Sequence, residues 1–193
     1  YQKYSNSNSH GSYYITAMFA NDPKIPIIKI HDPLLDSQKI ELCIKREDLL
    51  DPYISGNKFR KLKYNLFEAR KQGHDTIITF GGAYSNHIHA VAYAGYKFNF
   101  KTIGIIRGEK TLPLNPTLQD ASSLGMKIHY VTRMVYRDKY NKSFIEDLKL
   151  KFGHFYLIPE GGSNTLAVKG CEEVINNEVV KFDHICCACG TGG

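Results

Sequence analysis

The sequence lacks long apolar runs. Residues 1–12 are polar, rich in Ser and Asn, and contain no apolar segment of the kind that a secretory signal needs. No apolar stretch elsewhere approaches the ~20 residues that a membrane-spanning helix requires. We therefore predict neither a secretory signal nor a transmembrane helix, and we predict a loose tail over residues 1–12. The chain does not begin with Met, so a trimmed start is also expected.

Cysteine is scarce and shows no complete metal-site pattern. The chain has five Cys, an odd number, with a single C-x-x-C spacing, from Cys186 to Cys189. Cys186, Cys187 and Cys189 lie in one apolar run, where a free Cys behaves as a small hydrophobic residue. No second cluster of ligands has the spacing of a zinc site, so we predict no metal. Reduced thiols and a cytoplasmic location are the resulting expectation.

Positive charge is in modest excess and is not gathered into blocks. The formal net charge is +6, from 25 Lys and Arg against 19 Asp and Glu. Because these basic residues are spread along the chain, we interpret them as solvated surface and predict no nucleic-acid partner. The hydrophobic fraction of 42% is that of an ordinary globular protein. A chain of this length is able to bury a substantial core.

From residue 58 onward, predicted helices alternate with short apolar strands. The predicted strands are residues 76–80, 102–106, 127–131 and 154–158, and the predicted helices are about 58–73, 85–95, 116–124, 139–151 and 164–177. The strand centres lie about 25 to 28 residues apart, which is the spacing of βαβ units in a parallel sheet. Two extended pieces, residues 25–30 and 40–45, precede this region, and an apolar strand is predicted at residues 184–188. The pattern predicts an α/β fold with a four-stranded parallel sheet.

Lys58 lies at the start of a predicted helix. A helix N-terminus carries partial positive charge, and Arg60 and Lys61 add to it. Positive surroundings and partial burial lower the pKa of a lysine, which favours the neutral amine that Schiff-base chemistry needs. Lys61 lies one turn further on the same face, where it is placed to contact an anion. The alternative is a solvated basic helix face, which the local pattern alone favours.

A glycine-rich turn follows the first strand of the predicted sheet. Gly81 and Gly82 precede Ser85-Asn86 and a helix, so the turn lies at the carboxyl end of a parallel strand. Ligands bind at this edge of such sheets, and glycine lets the backbone approach them closely. Ser85 or Asn86 is equally suited to cap the helix, so a purely structural role remains open.

Two further glycine-rich turns follow predicted strands. In residues 160–164, Ser163 or Asn164 is suited to cap the next helix, and the pattern favours this structural role. The other turn ends the chain, and its backbone N–H groups are suited to hold a phosphate. It consists of Gly190, Thr191, Gly192 and Gly193. A tight turn without a ligand uses the same residues, so this motif is weak by itself.

Taken in chain order, these motifs resemble those of the 1-aminocyclopropane-1-carboxylate deaminase and D-cysteine desulfhydrase family. The resemblance extends from about residue 25 to residue 193. The matching runs are Lys45-Arg46-Glu47-Asp48, Gly56-Asn57-Lys58-x-Arg60-Lys61, Gly81-Gly82-x-x-Ser85-Asn86-His87, Pro159-Glu160-Gly161-Gly162-Ser163-Asn164 and Gly190-Thr191-Gly192-Gly193. Members of this family are pyridoxal-phosphate enzymes with a two-domain, tryptophan synthase β-like fold (fold type II).

The resemblance implies a role for each matching residue. Lys58 would be the catalytic lysine that carries the cofactor as a Schiff base. Ser85 would be the second catalytic residue, as a nucleophile or as an anchor for the substrate carboxylate. The implied cofactor-binding residues are Asn57, Lys58, Lys61, Asn86, Gly190, Thr191, Gly192 and Gly193. The implied cofactor is pyridoxal 5'-phosphate, the substrate is D-cysteine or 1-aminocyclopropane-1-carboxylate, and the assembly is a homodimer.

The resemblance also implies how the chain divides into domains. Residues 1–58 would be the N-terminal part of a larger domain, residues 59–158 a smaller βα domain, and residues 159–193 the start of the rest of the larger domain. Relatives continue past the last turn, so we expect a fold truncated at its C-terminus. Two alternatives follow: a truncated, non-catalytic relative that binds a small ligand, or another type II lyase such as a serine or threonine dehydratase.

Two residues near Ser85 depart from the common family pattern, and a third resembles one branch of the family. Tyr84 stands where many relatives have Gln, and His89 where many have Arg. His87 resembles the desulfhydrase branch, because the deaminase branch often has Gln at this position. The dehydratase alternative usually has Ser-Phe before the lysine, whereas this chain has Gly-Asn before Lys58.

Overall fold

Two short antiparallel strands open the part of the chain that the structure describes. In the computed structural model, which describes residues 24–188, strand β1 (Ile27–Ile30) pairs with strand β2 (Leu42–Lys45). A short helix, α1 (Pro33–Ser37), joins them and is capped by the carboxylate of Asp32. The two extended pieces predicted from the sequence are confirmed. The helix of only five residues between them was not predicted.

The remaining elements alternate as the spacing predicted. They are α2 (Asn57–Lys71), β3 (Thr76–Gly81), α3 (Asn86–Phe98), β4 (Lys101–Arg107), α4 (Pro116–Ser123), β5 (Lys127–Val131), α5 (Arg133–Arg137), α6 (Lys142–Phe152), β6 (Tyr156–Ile158) and α7 (Thr165–Glu172). The last four strands form one sheet in the order β5-β4-β3-β6, and every pair in it is parallel. The predicted four-stranded parallel sheet is confirmed.

Strand β3 is the point at which the chain changes direction across the sheet. From β3 the chain moves outward to β4 and β5, and it then returns to place β6 on the other side of β3. The loops that leave β3 and β6 therefore diverge, and a crevice forms between them at the carboxyl edge of the sheet. This is where ligands bind in open parallel sheets.

Helices cover the sheet on both faces. Because side chains alternate along a strand, neighbouring residues of β3 enter two different cores. Ile77 belongs to the core beneath α2, α3 and α4, together with Leu62 and Ile88. Ile78 and Phe80 belong to the core beneath α5 and α6. Burial on both faces explains why the sequence of β3 is an almost continuous apolar run.

Two glycines permit close packing between elements. A Cβ at Gly95 would lie 2.3 Å from Cγ2 of Thr102, so α3 approaches β4 closely. The sequence predicted that this helix ends at Gly95, but α3 continues to Phe98 and ends at Asn99, which is in the left-handed region. Gly95 is therefore a packing glycine and not a stop signal. Gly170 plays the same role between α7 and α2.

Ion pairs tie the segments on either side of the sheet domain to α2. The guanidinium of Arg60 is 2% exposed, and it pairs with Glu47 at 3.1 Å and with Glu173 at 3.3 Å. Glu173 also accepts from Lys63 at 2.7 Å. Glu47 precedes α2 and Glu173 directly follows α7, so this network joins the chain before α2 to the chain after α7. The boundaries predicted for the two domains remain a prediction.

Three predicted elements differ from the structure. Residues 184–188 form no strand, because within residues 24–188 no neighbouring strand pairs with them, and Ile185 is 56% exposed. The helix predicted for residues 139–151 begins at Lys142 and is preceded by the separate helix α5, which the side chain of Thr132 caps. The helix predicted to reach residue 177 ends at Glu172. The predicted tail, residues 1–12, lies outside the described residues.

Candidate active site

Lys58 lies in the crevice between the loops that follow β3 and β6. It is the second residue of α2, and its Nζ donates to the carbonyl oxygen of Gly161 at 3.1 Å. The side chain is half-buried. This burial, together with the positive charge of Lys61, lowers the pKa of Lys58. Because the lowered pKa increases the fraction of neutral amine, Lys58 is suited to attack a carbonyl carbon.

Lys61 reaches the same loop as Lys58. Its side chain is buried, and its Nζ donates to the hydroxyl of Ser163 at 3.3 Å. Two lysines from the first turns of α2 therefore converge on residues 161–163. The prediction that Lys58 and Lys61 share one helix face is confirmed.

The loop after β6 needs glycine at two positions. Gly161 and Gly162 have φ angles of 69° and 75°, in the left-handed region that residues with a Cβ rarely adopt. A Cβ at Gly162 would also lie 3.1 Å from Cε1 of His87. The backbone of this loop therefore lies directly against the imidazole of His87, and a larger residue would displace one of them.

Asn65 holds the loop against α2, and sequence reasoning missed it. Its side chain is fully buried and exchanges two amide hydrogen bonds with Asn164, at 3.2 and 2.7 Å. Asn164 in turn caps α7 by accepting from the N–H of Ala167 at 2.9 Å. It could have been predicted from its position, because Asn65 is a polar residue on the apolar stripe of α2 that Leu62 and Leu66 define.

His87 is buried against the sheet beneath the loop. Its Nε2 lies 2.9 Å from the hydroxyl oxygen of Thr79, and that hydroxyl also lies 2.9 Å from the carbonyl oxygen of Ile158. A carbonyl only accepts, so the single hydroxyl proton goes to Ile158. Nε2 must then carry a proton and donate it to Thr79. Sequence reasoning missed Thr79, although a polar residue inside an apolar strand was a usable signal.

The other ring nitrogen of His87 has no partner. Burial above all, and then the charges of Lys58 and Lys61, lower the pKa of His87 to about 3, so the ring is neutral at neutral pH. With the proton on Nε2, Nδ1 is a bare acceptor, and it has no hydrogen bond within residues 24–188. A buried acceptor without a donor costs about 1–3 kcal/mol.

The depressed pKa of His87 predicts a specific dependence of stability on pH. The unfolded chain takes up this proton near pH 6.5, whereas the folded chain takes it up only near pH 3. Between these values the unfolded state holds more protons, so the contribution is complete above pH 6.5 and is lost as the pH falls. We expect His87→Gln to reduce the loss of unfolding free energy between pH 7 and pH 5 by about 2 kcal/mol.

Urea unfolding of both proteins at pH 7 and pH 5 measures this difference. The unfolding free energy of each protein at pH 5 is compared with its own value at pH 7. The cost of the substitution to packing is the same at both pH values, so it cancels. His74 also has a pKa lowered by burial and by His154, and its contribution stays in both proteins. An unchanged pH dependence in His87→Gln would contradict the burial and the lowered pKa assigned to His87.

Ser85, Asn86 and Asn57 all lie at helix N-termini. Ser85 caps α3, and its hydroxyl oxygen accepts from the N–H of Ile88 at 3.3 Å. Asn86 and Asn57 are the exposed first residues of α3 and α2. Within the described range, no hydrogen bond joins any of these three side chains to Lys58. Their predicted catalytic and cofactor-binding roles remain predictions.

The predicted phosphate turn lies outside the described residues. It comprises Gly190, Thr191, Gly192 and Gly193. The first glycine-rich turn is described, and its two glycines differ. A Cβ at Gly81 would lie 2.5 Å from Cγ1 of Ile88, so packing against α3 requires glycine there. A Cβ at Gly82 would approach only Arg107, at 3.7 Å. Packing therefore does not explain Gly82.

Comparison with known proteins identifies the family. Residues 25–193 match the family described as "Pyridoxal-phosphate dependent enzyme". The chain belongs to this family. It is 38% identical over 171 residues to a Thermotoga maritima protein provisionally named 1-aminocyclopropane-1-carboxylate deaminase, with 83% of this chain and 53% of that protein covered. The resemblance inferred from the motifs is confirmed.

A second relative carries both activities in its name. The chain is 36% identical over 171 residues to the Arabidopsis thaliana mitochondrial bifunctional D-cysteine desulfhydrase/1-aminocyclopropane-1-carboxylate deaminase, with 79% of this chain and 43% of that protein covered. The crystal structure of an ACC deaminase homologue superposes with a TM-score of 0.64 at 29% identity, covering 88% of this chain and 55% of the other. The predicted fold class is confirmed. The chain spans about half the length of the curated relatives it matches.

The described residues fit the cofactor of this family. Lys58 supplies an amine with a lowered pKa at the carboxyl edge of the sheet. Lys61 adds positive charge, which suits an anionic cofactor. The bare Nδ1 of His87 offers an acceptor that no described residue satisfies. The predicted cofactor, pyridoxal phosphate, is confirmed for the family to which the chain belongs.

Proposed function

We propose that the chain forms part of a pyridoxal-phosphate-dependent enzyme that acts on D-cysteine or 1-aminocyclopropane-1-carboxylate, with Lys58 as the residue that binds the cofactor covalently. The observation that carries this proposal is the environment of Lys58. Its amine is half-buried in the crevice, its pKa is lowered, and it lies 3.1 Å from the Gly161 carbonyl oxygen. The names of the relatives favour a deaminase or desulfhydrase over a dehydratase.

Each residue of the site has a distinct task in this proposal. The cofactor, when bound, acts as an electron sink. Lys58 holds it covalently and carries a proton to or from the neighbouring substrate atom. The Gly161 carbonyl oxygen orients the Lys58 amine by accepting its hydrogen bond. Lys61 balances negative charge in the crevice.

Ser85 retains a hydrogen-bond donor for the substrate. Its hydroxyl oxygen accepts from Ile88 in the helix cap, so its own proton is not used by the cap. In the proposal this hydroxyl donates to the substrate carboxylate, or acts as a nucleophile. The cyclopropane substrate has no α-proton to remove, so its ring opening begins by nucleophilic attack or by removal of a β-proton. D-cysteine has an α-proton, and its loss expels sulfide; hydrolysis of the remaining product by water then gives pyruvate and ammonia.

His87 makes D-cysteine the first substrate to test. The imidazole is neutral and buried beneath the loop that Lys58 contacts, and it resembles the desulfhydrase branch. The substrate test compares sulfide release from D-cysteine with ammonia release from 1-aminocyclopropane-1-carboxylate. Sulfide release in excess supports the desulfhydrase assignment, and the opposite order supports the deaminase.

Trapping the cofactor on the protein tests the proposed function directly. The purified chain is mixed with pyridoxal phosphate, reduced with borohydride and digested for peptide mapping. We expect a visible absorbance band before reduction and a covalent adduct on Lys58 after it. Reduction that labels another lysine, or labels none in a folded chain, would overturn the assignment.

The proposal includes a homodimer and a cytoplasmic location. The resemblance to the family supports the dimer, which light scattering of the purified protein tests. No helix within residues 24–188 is long and apolar enough to cross a membrane. Reduced thiols support the cytoplasmic location, and fluorescence microscopy of a tagged protein tests it.

A further inference from the structure

The loops after β3 and β6 also border a cavity at the carboxyl edge of the sheet, and Lys58 is not among the residues that line it. Its volume is about 590 Å³. Gly82 from the loop after β3 and Glu160 from the loop after β6 line it, together with Arg107 at the end of β4. Helix α5 and the residues after it complete the wall. Of the predicted cofactor-binding residues within residues 24–188, which are Asn57, Lys58, Lys61 and Asn86, none lines this cavity.

The cavity is lined by cations from separate elements. Arg107 ends β4, Arg133 and Arg137 begin and end α5, and Lys139 follows α5. Lys139 pairs with Glu160 at 3.2 Å. Within residues 24–188 the three arginines form no ion pair. Four cations therefore face one carboxylate, and their mutual repulsion favours a bound anion.

A buried tyrosine also lines this cavity. Tyr136 is 3% exposed, and its hydroxyl has no hydrogen bond to any described residue. The ring is held by an edge-to-face contact with Phe80, with ring centres 6.1 Å apart. Burial, and then the nearby Glu160 carboxylate, raises the pKa of Tyr136, so the hydroxyl keeps its proton. The hydroxyl is therefore a donor with one carboxylate near it, and an anion that enters the cavity competes with Glu160 for its proton.

We propose that this cavity binds a small multivalent oxyanion of the phosphate class through Arg107, Arg133 and the hydroxyl of Tyr136. Planar guanidinium groups match the oxygens of a tetrahedral anion in pairs, and hydrogen bonds assisted by charge are the strong ones. The tyrosine hydroxyl adds a directed donor at the buried end. Arg137 and Lys139 add positive potential around the opening.

Calorimetric titration with inorganic pyrophosphate tests the site. The experiment is done at constant ionic strength on protein that has first been loaded with pyridoxal phosphate and then freed of unbound cofactor, because free cofactor is itself a phosphate-class anion. We expect saturable binding of one pyrophosphate per chain. The double variant Arg107→Gln/Arg133→Gln is expected to bind at least about 10-fold more weakly, because it loses two charge-assisted contacts. Lys149→Gln is the control, since Lys149 is exposed and pairs with Glu146.

Tyr136→Phe separates a binding role from a structural one. The substitution removes a hydroxyl that has no partner, so the melting temperature without anion is expected to stay the same or rise. Binding of pyrophosphate is expected to weaken about 5-fold, the loss of one hydrogen bond to a charged group. This pair of results would not arise from damage to the fold.

Three outcomes would overturn the proposal. Equal affinity in the double arginine variant would show that the anion binds elsewhere. If Lys58→Arg weakened pyrophosphate binding instead, this would place the anion in the cofactor crevice. A titration heat that does not reach saturation, and that falls equally in Lys149→Gln and in the double arginine variant, would indicate only nonspecific screening of positive charge. The arginine and tyrosine variants are judged by pyrophosphate affinity, so a failure of the proposed enzymatic function leaves this test intact.

Discussion

Lys58→Arg is expected to abolish covalent binding of pyridoxal phosphate while leaving the chain folded. Arginine keeps the positive charge and the length of the side chain, and it can still donate to the carbonyl oxygen of Gly161. Its guanidinium is always protonated in proteins, so it has no neutral amine to attack a carbonyl carbon. The substitution therefore separates the chemistry of the residue from its charge. The lowered pKa of Lys58 is the property that arginine cannot reproduce.

The mass of the chain after borohydride reduction measures this effect. The native chain is expected to gain one reduced cofactor, and Lys58→Arg to gain none. Lys71→Arg is the matched control, because Lys71 lies on the same helix and is 80% exposed. Lys61→Arg is expected to retain the label, with weaker cofactor binding. A Lys58→Arg protein that still gains the label would show that another lysine carries the cofactor.

Gly170→Ala is expected to destabilise the fold by about 3 kcal/mol, at the upper end of overpacking costs. A Cβ at this position would lie 2.0 Å from the carbonyl oxygen of Arg60 and 2.9 Å from its carbonyl carbon. Both atoms belong to the backbone of α2, so no side-chain rotation relieves the clash, and α7 must move away. Alanine is otherwise the better residue inside a helix, by about 1 kcal/mol. The expected change in stability is therefore a loss, whereas helix propensity alone predicts a gain.

Urea unfolding at neutral pH measures the change in free energy. Gly82→Ala is the steric control, because its added methyl group would approach only the flexible side chain of Arg107, at 3.7 Å. Gly170→Ala should also disturb the active site, since α7 begins beside Asn164, which holds the loop that Lys58 contacts. A Gly170→Ala protein as stable as the native chain would show that α7 does not pack on α2 as described.

Local patterns predicted most of the sheet domain. The strands centred on Ile77, Ile103 and Ile128 are short, apolar and bounded by turn residues, so each was visible without knowing its neighbours. The apolar run at residues 184–188 looks similar but forms no strand, because a strand needs a partner and none lies beside it within the described chain. Periodicity reports whether a segment is suited to a strand. It does not report whether another strand is available.

The residues of the candidate site also fall into two groups, those that local patterns predicted and those that only the structure revealed. Lys58 and Lys61 were found from their position at a helix start, because a helix fixes which residues share a face. Asn65, Thr79 and the unpaired Nδ1 of His87 were not found, because their hydrogen bonds join residues that are distant in sequence. The Asn65–Asn164 pair, for example, spans 99 positions. Only a polar residue in an apolar stripe or strand marked such positions in advance.

By itself, the sequence determined the alternation of helices and strands, which depends on residues close together in the chain. It also determined the family resemblance, carried by motifs along the chain, and that resemblance selects Lys58 over the alternative of a solvated helix face. Only the tertiary structure decided the strand order β5-β4-β3-β6, which places β6 beside β3 and opens the crevice between their loops. The same contacts bury His87, lower the pKa of Lys58 and leave the hydroxyl of Tyr136 without a partner. Burial and pairing depend on which distant segments meet, and that is a property of the fold as a whole.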